Sequence, residues 1–204
     1  MKRFLYLHGF GSSGQSGTVQ LLRREFLTSG GGEGVEVLAP DLPVEPAEAL
    51  PFIRQLAQSK TPDLVIGTSL GGMYAQQLHG FERICVNPSF RISKLYSLLH
   101  VGKYQWLNPR RDGAREFHVY KETIQAFAEM EAHQFDGCSE EDALFCHGLF
   151  GDQDEISAAT RPLFEEHYPG MAVTFAGGHR LNADLVHAVL IPFVRSLGAM
   201  SSLK

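Results

Sequence analysis

The fold of this 204-residue chain is decided by the stretch Leu64-Val65-Ile66-Gly67-Thr68-Ser69-Leu70-Gly71-Gly72-Met73-Tyr74-Ala75-Gln76-Gln77-Leu78-His79. Its first three residues are the short apolar run of a buried strand, and residues 73–79 can form a helix. The G-x-S-x-G pattern between them is typical of a nucleophile elbow, a tight turn that exposes a serine. Side chains at positions 67 and 71 would collide in such a turn, so glycine is expected at both. The alternative is a flexible glycine-rich loop. The context favours the elbow and makes Ser69 the candidate nucleophile.

Length and composition limit the class of protein. With 204 residues, 44% of them hydrophobic, the chain suits a single domain spanning residues 1–204. The net charge of -5 argues against a nucleic-acid partner. The N-terminal apolar run is too short for a signal peptide or membrane span, so a cytoplasmic location is expected. The histidines show no metal-ligand spacing, so we expect no metal site.

Six short apolar runs alternate with helical patterns along the chain. This rhythm predicts an α/β fold with a mainly parallel sheet covered by helices on both faces. Residues 91–140 break the rhythm, because they contain no convincing strand and include a helix-like stretch. We interpret them as a small, lid-like helical insertion above the sheet. The six runs are 4–7, 35–38, 64–66, 84–86, 144–146 with 149–150, and 172–175.

Chemistry in such a sheet is expected just beyond the carboxyl ends of the strands. Ser69, an aspartate within residues 151–156 and His179 all lie there. A serine needs a base to take its proton, and the base needs an acid to orient it. Asp154 is the favoured acid, since it lies three residues past a strand-ending glycine, and Asp152 is the alternative. Whichever aspartate is not the acid is expected to be a turn former.

The first loop predicts part of an oxyanion hole. The backbone N–H groups of Phe10 and of Leu70, which follows the nucleophile at a helix N-terminus, are the expected donors. His8 is the rival base, but its position before this loop favours a structural role.

A competing pattern overlaps the same loop. Gly9, Gly11 and Gly14 match G-x-G-x-x-G after the first strand, and Asp41 ends the second strand. Together they suggest a dinucleotide-binding fingerprint. Asp41 is somewhat far from the glycines for a ribose contact, and this interpretation leaves the elbow and His179 unexplained. We therefore expect no cofactor.

The insertion carries unusual charge. Between Arg91 and Lys121 there are seven basic and two acidic residues. One interpretation is a solvated face with no specific role. The other is a cationic lid near Ser69 that attracts an anionic leaving group, with Tyr96, Tyr104 and Trp106 binding the acyl part of the substrate.

These motifs resemble the α/β-hydrolase superfamily, and most closely its small YqiA/YcfP-type bacterial esterase branch. The resemblance spans most of the chain, although residues 91–137 match poorly. It implies an α/β-hydrolase fold with strand order 2-1-3-4-5-6 and a Ser-Asp-His hydrolase without a cofactor. The matching pieces are 5–10 with Ser12 and Ser13, 67–72 with Tyr74, 86–88 with Arg91, 154–156 and 177–179.

The sequence thus predicts a serine hydrolase that cleaves small-molecule esters or thioesters through an acyl-enzyme intermediate. Ser69, Asp154 and His179 are the expected catalytic residues. The same constellation serves acyltransferases and peptidases, and a non-catalytic binding protein on a hydrolase fold is a further alternative. Acyl length, leaving group and oligomeric state stay open.

Overall fold

A six-stranded sheet forms the centre of the computed structural model, which describes residues 1–27, 34–95, 99–156 and 159–198. Its strands are β1 (Lys2–Leu7), β2 (Val35–Leu38), β3 (Leu64–Thr68), β4 (Arg83–Val86), β7 (Cys146–Gly151) and β8 (Ala172–Phe175), and two strands outside this sheet lie between β4 and β7 in the chain. Every neighbouring pair is parallel, in the order β2-β1-β3-β4-β7-β8. Counted within this sheet alone, the order is 2-1-3-4-5-6. The predicted mainly parallel α/β architecture is confirmed.

Helices cover both faces of the sheet, as the alternating pattern predicts. They are α1 (Gly17–Leu27), α2 (Pro46–Lys60), α3 (Leu70–Gln76), α4 (Lys121–His133), α5 (Glu140–Ala143), α6 (Thr160–His167), α7 (Ala183–Leu185) and α8 (Ile191–Ser196). A π-helical segment, Val186–Leu190, joins the last two. This wider segment precedes Pro192, whose ring nitrogen cannot donate to the preceding helical turn.

The core is divided by the sheet into two apolar layers. One layer packs α1 and the C-terminal helices against the sheet, through residues such as Leu22, Phe26 and Val194. The other packs α2, α4 and α6 against the opposite face, through residues such as Ile53 and Phe127. Strands buried on both faces explain why their sequences are continuous apolar runs rather than alternating ones.

The insertion is not purely helical, which corrects the prediction for residues 91–140. An antiparallel hairpin of β5 (Gly102–Gln105) and β6 (Glu116–Val119) precedes α4, and a short 3-10 turn covers Ile92–Lys94. Each hairpin strand has four residues and turns only one partly buried face inward. Such strands have no continuous apolar run, so the sequence does not predict them.

The hairpin is fastened onto the loop that follows β1. Leu107 N–H donates to the Gly11 carbonyl at 2.7 Å, and the Asn108 amide donates to Ser12 Oγ at 3.0 Å. Ser13 Oγ in turn donates to the Pro109 carbonyl at 2.7 Å. These bonds hold the hairpin at the carboxyl edge of the sheet, above the first loop.

Candidate active site

Ser69 lies in a strained turn between β3 and α3. Its φ of 55° and ψ of -119° are rarely adopted by a residue with a side chain. A Cβ atom at Gly67 would overlap the Gly71 carbonyl, and one at Gly71 would overlap the Leu7 carbonyl. The two glycines therefore permit the close crossing of strand and helix that the elbow pattern predicts.

Three side chains form a hydrogen-bonded series at this edge. Ser69 Oγ lies 2.9 Å from His179 Nε2, and His179 Nδ1 lies 2.8 Å from Asp154 Oδ2. The Asp154 side chain is 1% exposed and the His179 side chain 12% exposed. A buried carboxylate beside Nδ1 favours the tautomer with its proton there, which leaves Nε2 free to accept the serine proton.

The two aspartates of the acid loop have different partners. Asp152 is exposed, and its Oδ1 accepts a hydrogen bond from the Gly177 backbone N–H at 3.0 Å. Asp154 reaches the imidazole, and its Oδ1 accepts from the Ile156 N–H at 2.8 Å. Asp152 thus joins two loops through the backbone, whereas Asp154 contacts the histidine side chain.

Asn87 connects both loops of the site, a role that the sequence analysis did not assign. Its side-chain amide donates to the carbonyls of Gly178 and His179, each at 3.0 Å. Its Oδ1 accepts from the Gly151 N–H at 2.7 Å. The residue is fully buried and has a φ of 44°, a left-handed conformation that asparagine tolerates well. Its position directly after the fourth strand was the available signal.

Ser89 is a second site residue that the sequence analysis missed. Its Oγ is fully buried and lies 3.0 Å from Ser69 Oγ. Ser69 uses its single proton toward His179 Nε2, so at this contact the Ser89 hydroxyl is the donor. Only its place two residues beyond Asn87 pointed to it in the sequence.

The N–H groups of Phe10 and Leu70 are open to a ligand. Neither donates to a protein acceptor within the described ranges. The Phe10 loop approaches the nucleophile closely, because a Cβ atom at Gly9 would lie 3.1 Å from Ser69 Cβ. Leu70 begins α3, where backbone N–H groups are unpaired by geometry.

His8 is hydrogen-bonded to the backbone of the loop that contains Phe10 and to the loop after β2. Its Nε2 accepts from the Leu42 N–H at 3.0 Å, so Nδ1 carries the proton and donates to the Gly9 carbonyl at 2.9 Å. Burial lowers the pKa of His8 to about 4. Both ring nitrogens are occupied by backbone partners, so neither is available to take a proton from Ser69.

Asp41 also has its carboxylate occupied by the protein. It accepts from the Gly14 N–H and from the Arg111 N–H, both at 2.8 Å. The residue that a dinucleotide fingerprint would assign to a ribose therefore fastens the first loop to the hairpin.

The residues expected to bind the substrate differ in their surroundings. Trp106 borders a small cavity next to Phe10 and Leu70. Tyr104 packs edge-on against Phe10 at 5.4 Å, and its hydroxyl contacts His100. Tyr96 lies outside the described residues.

Arg110, one of the cations of the hypothesised lid, already has partners within the protein. Its guanidinium lies 4.1 Å from the centre of the Trp106 ring, donates to the Leu42 carbonyl at 3.2 Å and pairs with Asp112 at 3.1 Å. Its side chain is 9% exposed. The charge of Arg110 therefore interacts with groups of the protein itself, whereas the neighbouring Arg111 is exposed.

Across residues 1–27, 34–95, 99–156 and 159–198, no three His, Cys, Asp or Glu side chains come together as a metal-ligand group. None of the helices in these ranges has the length and apolar character to cross a membrane.

Known structures share this architecture and define the class as the α/β-hydrolase fold. Est1E from Butyrivibrio proteoclasticus matches with a TM-score of 0.65 and 16% identity, over 98% of this chain and 88% of its own. The esterase domain of a Rhodothermus marinus protein matches with a TM-score of 0.66 and 16% identity, over 100% and 88%. The thioesterase domain from the curacin biosynthetic pathway matches with a TM-score of 0.57 and 15% identity, over 96% and 90%.

The chain belongs to the Uncharacterised protein family (UPF0227), whose model matches residues 3–124. The resemblance to the α/β-hydrolase superfamily and its small YqiA/YcfP-type branch is confirmed. The matched range contains Ser69 and Asn87 but ends before Asp154 and His179.

Proposed function

We propose that this protein is a serine hydrolase that cleaves carboxylic ester or thioester bonds through an acyl-enzyme intermediate. The observation that carries the proposal is the series Ser69 Oγ, His179 Nε2, His179 Nδ1 and Asp154 Oδ2, with contacts of 2.9 and 2.8 Å. Its support comes from a strained serine, an oriented imidazole and two open N–H groups at one edge of the sheet. Such a set provides nucleophile, base and oxyanion donors together.

In the first half-reaction, Ser69 Oγ attacks the acyl carbonyl carbon while its proton passes to His179 Nε2. Asp154 stabilises the resulting imidazolium, and the Phe10 and Leu70 N–H groups donate to the oxyanion. The tetrahedral intermediate then expels the alcohol or thiol, which takes the proton from His179. The acyl group remains bonded to Ser69.

In the second half-reaction, a water molecule gives a proton to His179 and attacks the acyl-serine carbonyl. Collapse of this intermediate returns the proton to Ser69 and releases the carboxylic acid. Both halves use the same donors and the same base, so one site serves the full cycle.

Esterase or thioesterase chemistry is favoured over the other uses of the constellation. One of the structural relatives named above is an esterase domain, and another is a thioesterase domain. Their low identity makes this a supporting likeness only. We propose a small-molecule acyl substrate on this basis and expect the protein to act without a cofactor.

The direct test is hydrolysis of a p-nitrophenyl ester by the wild type and by Ser69→Ala. Loss of an activated nucleophile typically lowers turnover by roughly 10^4-fold or more. The matched control is Ser59→Ala, which removes an exposed hydroxyl bonded to the Leu56 carbonyl in α2. We expect the control to keep wild-type activity. If Ser69→Ala kept more than about a tenth of the turnover, the proposed mechanism would be wrong.

A further inference from the structure

The first loop, residues 8–14, carries the proposed oxyanion donor Phe10 on a tight turn. The Ser12 N–H donates to the Gly9 carbonyl at 3.2 Å, so Phe10 and Gly11 are the two central residues of this turn. Gly11 has a φ of 69°, a left-handed conformation that glycine adopts without strain. The loop has glycine at positions 9, 11 and 14, and glycine has more backbone freedom than any other residue. The local sequence therefore does little to fix the direction of the Phe10 N–H.

Two hydrogen bonds from the hairpin hold the second half of the turn. The Leu107 N–H donates to the Gly11 carbonyl at 2.7 Å, and the Asn108 side-chain amide donates to Ser12 Oγ at 3.0 Å. One bond fixes a peptide group next to Phe10, and the other fixes the residue that closes the turn. The hairpin thus supplies restraints that the glycine-rich loop lacks.

The Phe10 side chain is also held by the hairpin. Its ring packs edge-on against Tyr104 and against Phe117, with 5.4 Å between ring centres in each pair. These two hairpin rings stack on each other at 5.3 Å and 14°. A Cβ atom at Gly11 would lie 4.0 Å from Phe117 Cζ, so the Phe117 ring reaches the backbone of the turn as well. Both the main chain and the side chain around the Phe10 donor are therefore in contact with the hairpin.

The hairpin is in turn anchored to the body of the protein. Val119, the last residue of β6, is fully buried in the core layer that contains α2 and α4. The Arg110 guanidinium donates to the Leu42 carbonyl at 3.2 Å, and the Arg111 N–H donates to the Asp41 carboxylate at 2.8 Å. A continuous series of contacts therefore runs from the core through the hairpin to the turn of the first loop.

We propose that the hairpin positions the oxyanion hole, with Asn108 and Phe117 as positioning residues that hold the Phe10 N–H toward the carbonyl oxygen of the substrate. The inference rests on the proposed hydrolase function and gives the insertion a part in it. Oxyanion donors stabilise a transition state because they are oriented before the reaction, and a small displacement weakens their effect. Asn108 and Phe117 act through Phe10 and need no contact with the substrate.

The experiment compares p-nitrophenyl butanoate with its thiono ester, in which sulfur replaces the carbonyl oxygen. Sulfur is larger than oxygen and accepts hydrogen bonds weakly, so its developing charge gains less from N–H donors placed for an oxyanion. Each kcat/KM is measured with enzyme in excess and divided by the rate constant for alkaline hydrolysis of the same ester. The ratio of the oxygen ester to the thiono ester then reports on the oxyanion donors.

The hairpin variants should lower this ratio. We expect Asn108→Ala to reduce kcat/KM by about tenfold for the oxygen ester and by about twofold or less for the thiono ester, because the triad is unchanged. Phe117→Leu keeps an apolar side chain but removes the aromatic contact with Phe10, so it should change the ratio in the same direction. The matched control is Gln105→Ala, which removes an exposed amide from the same hairpin and should keep the wild-type ratio.

A double-mutant cycle tests whether Asn108 acts through its bond to the first loop. Ser12→Ala breaks the same hydrogen bond from the other side and should lower the ratio as Asn108→Ala does. The double variant should then show no greater loss than either single variant. Additive losses would overturn the assignment of Asn108. Circular dichroism checks that each variant is folded.

The outcomes separate this inference from the proposed function. A wild-type ratio in both Asn108→Ala and Phe117→Leu, whether or not the two rates fall together, would show that the hairpin does not act through the oxyanion hole and would overturn the inference. Ser69-dependent hydrolysis by the wild type would persist in that case. Absence of hydrolysis of both esters by the wild type would remove the function and the inference together.

Discussion

The Asn87 side-chain amide donates a hydrogen bond to the backbone carbonyl of His179 at 3.0 Å. It shares this amide with the Gly178 carbonyl, and its Oδ1 accepts from the Gly151 N–H. One buried side chain therefore joins the loop of the proposed base to the strand end that precedes the proposed acid. This arrangement makes Asn87 a positioning residue for the imidazole.

Asn87→Asp tests that role because aspartate keeps the Oδ1 acceptor but cannot donate to the two carbonyls. We expect kcat to fall by about 10 to 100-fold with little change in KM, since a small displacement of the base slows proton transfer. The matched control is Asn182→Asp, where the retained Oδ1 still caps α7 by accepting from the Leu185 N–H. A loss of thermal stability with kcat intact would assign Asn87 a purely structural role.

Ser89 provides a second test, aimed at the nucleophile itself. Ser89→Ala removes the donor that lies 3.0 Å from Ser69 Oγ. Because that donor favours a negatively charged serine oxygen, we expect kcat/KM for esters and the rate of fluorophosphonate labelling to fall together, by roughly tenfold. Labelling at the wild-type rate would contradict this role. Ser59→Ala again serves as the control.

The two aspartates of the acid loop differ in what they contact, and their asparagine variants should differ accordingly. Asp154→Asn removes the charge that orients and stabilises the His179 imidazolium, so turnover should fall by roughly 10^3-fold or more. Asp152→Asn keeps an oxygen that can accept from the Gly177 N–H, so we expect a loss of about tenfold or less. Steady-state kinetics on one ester decides the order, and the reverse ranking would transfer the acid role to Asp152.

The buried His8 predicts how stability depends on pH. Its pKa falls from 6.5 to about 4 in the folded state, so the unfolded chain binds the proton more readily. Stability from His8 is therefore complete above about pH 6.5 and is lost progressively as the pH falls toward 4. Between pH 7.5 and 5 the wild type should lose about 2 kcal/mol of unfolding free energy through this residue.

Urea unfolding of the wild type and of His8→Gln at these two pH values measures the effect. Glutamine offers an acceptor to the Leu42 N–H but does not titrate in this range. The wild type should lose about 2 kcal/mol more than the variant on acidification. Parallel losses in both proteins would show that His8 does not carry this pH dependence.

The parallel sheet, and the edge of the sheet where the candidate site residues meet, could be predicted from the sequence. Buried parallel strands such as β3 leave continuous apolar runs, and a tight elbow around Ser69 demands glycine at 67 and 71. Parallel strands also end at one edge, so residues that follow them converge even when they are far apart in the chain.

The parts that sequence reasoning missed depend on contacts between distant segments. The hairpin strands are short and half exposed, and their place is set by bonds from Leu107 and Asn108 to the first loop. Asn87 and Ser89 belong to no known catalytic pattern. Their roles follow only from the groups that their side chains contact in the folded protein. The charge of Arg110 contributed to the lid hypothesis, but in the structure its guanidinium stacks on the Trp106 ring.

The most direct test of the central claim is the intact mass of the protein after reaction with a fluorophosphonate, followed by mapping of the modified peptide. The proposed mechanism predicts one phosphonyl group per wild-type chain, located on Ser69, and none on Ser69→Ala under the same conditions. An unmodified wild type, or a modification that persists in Ser69→Ala, would contradict Ser69 as the activated nucleophile.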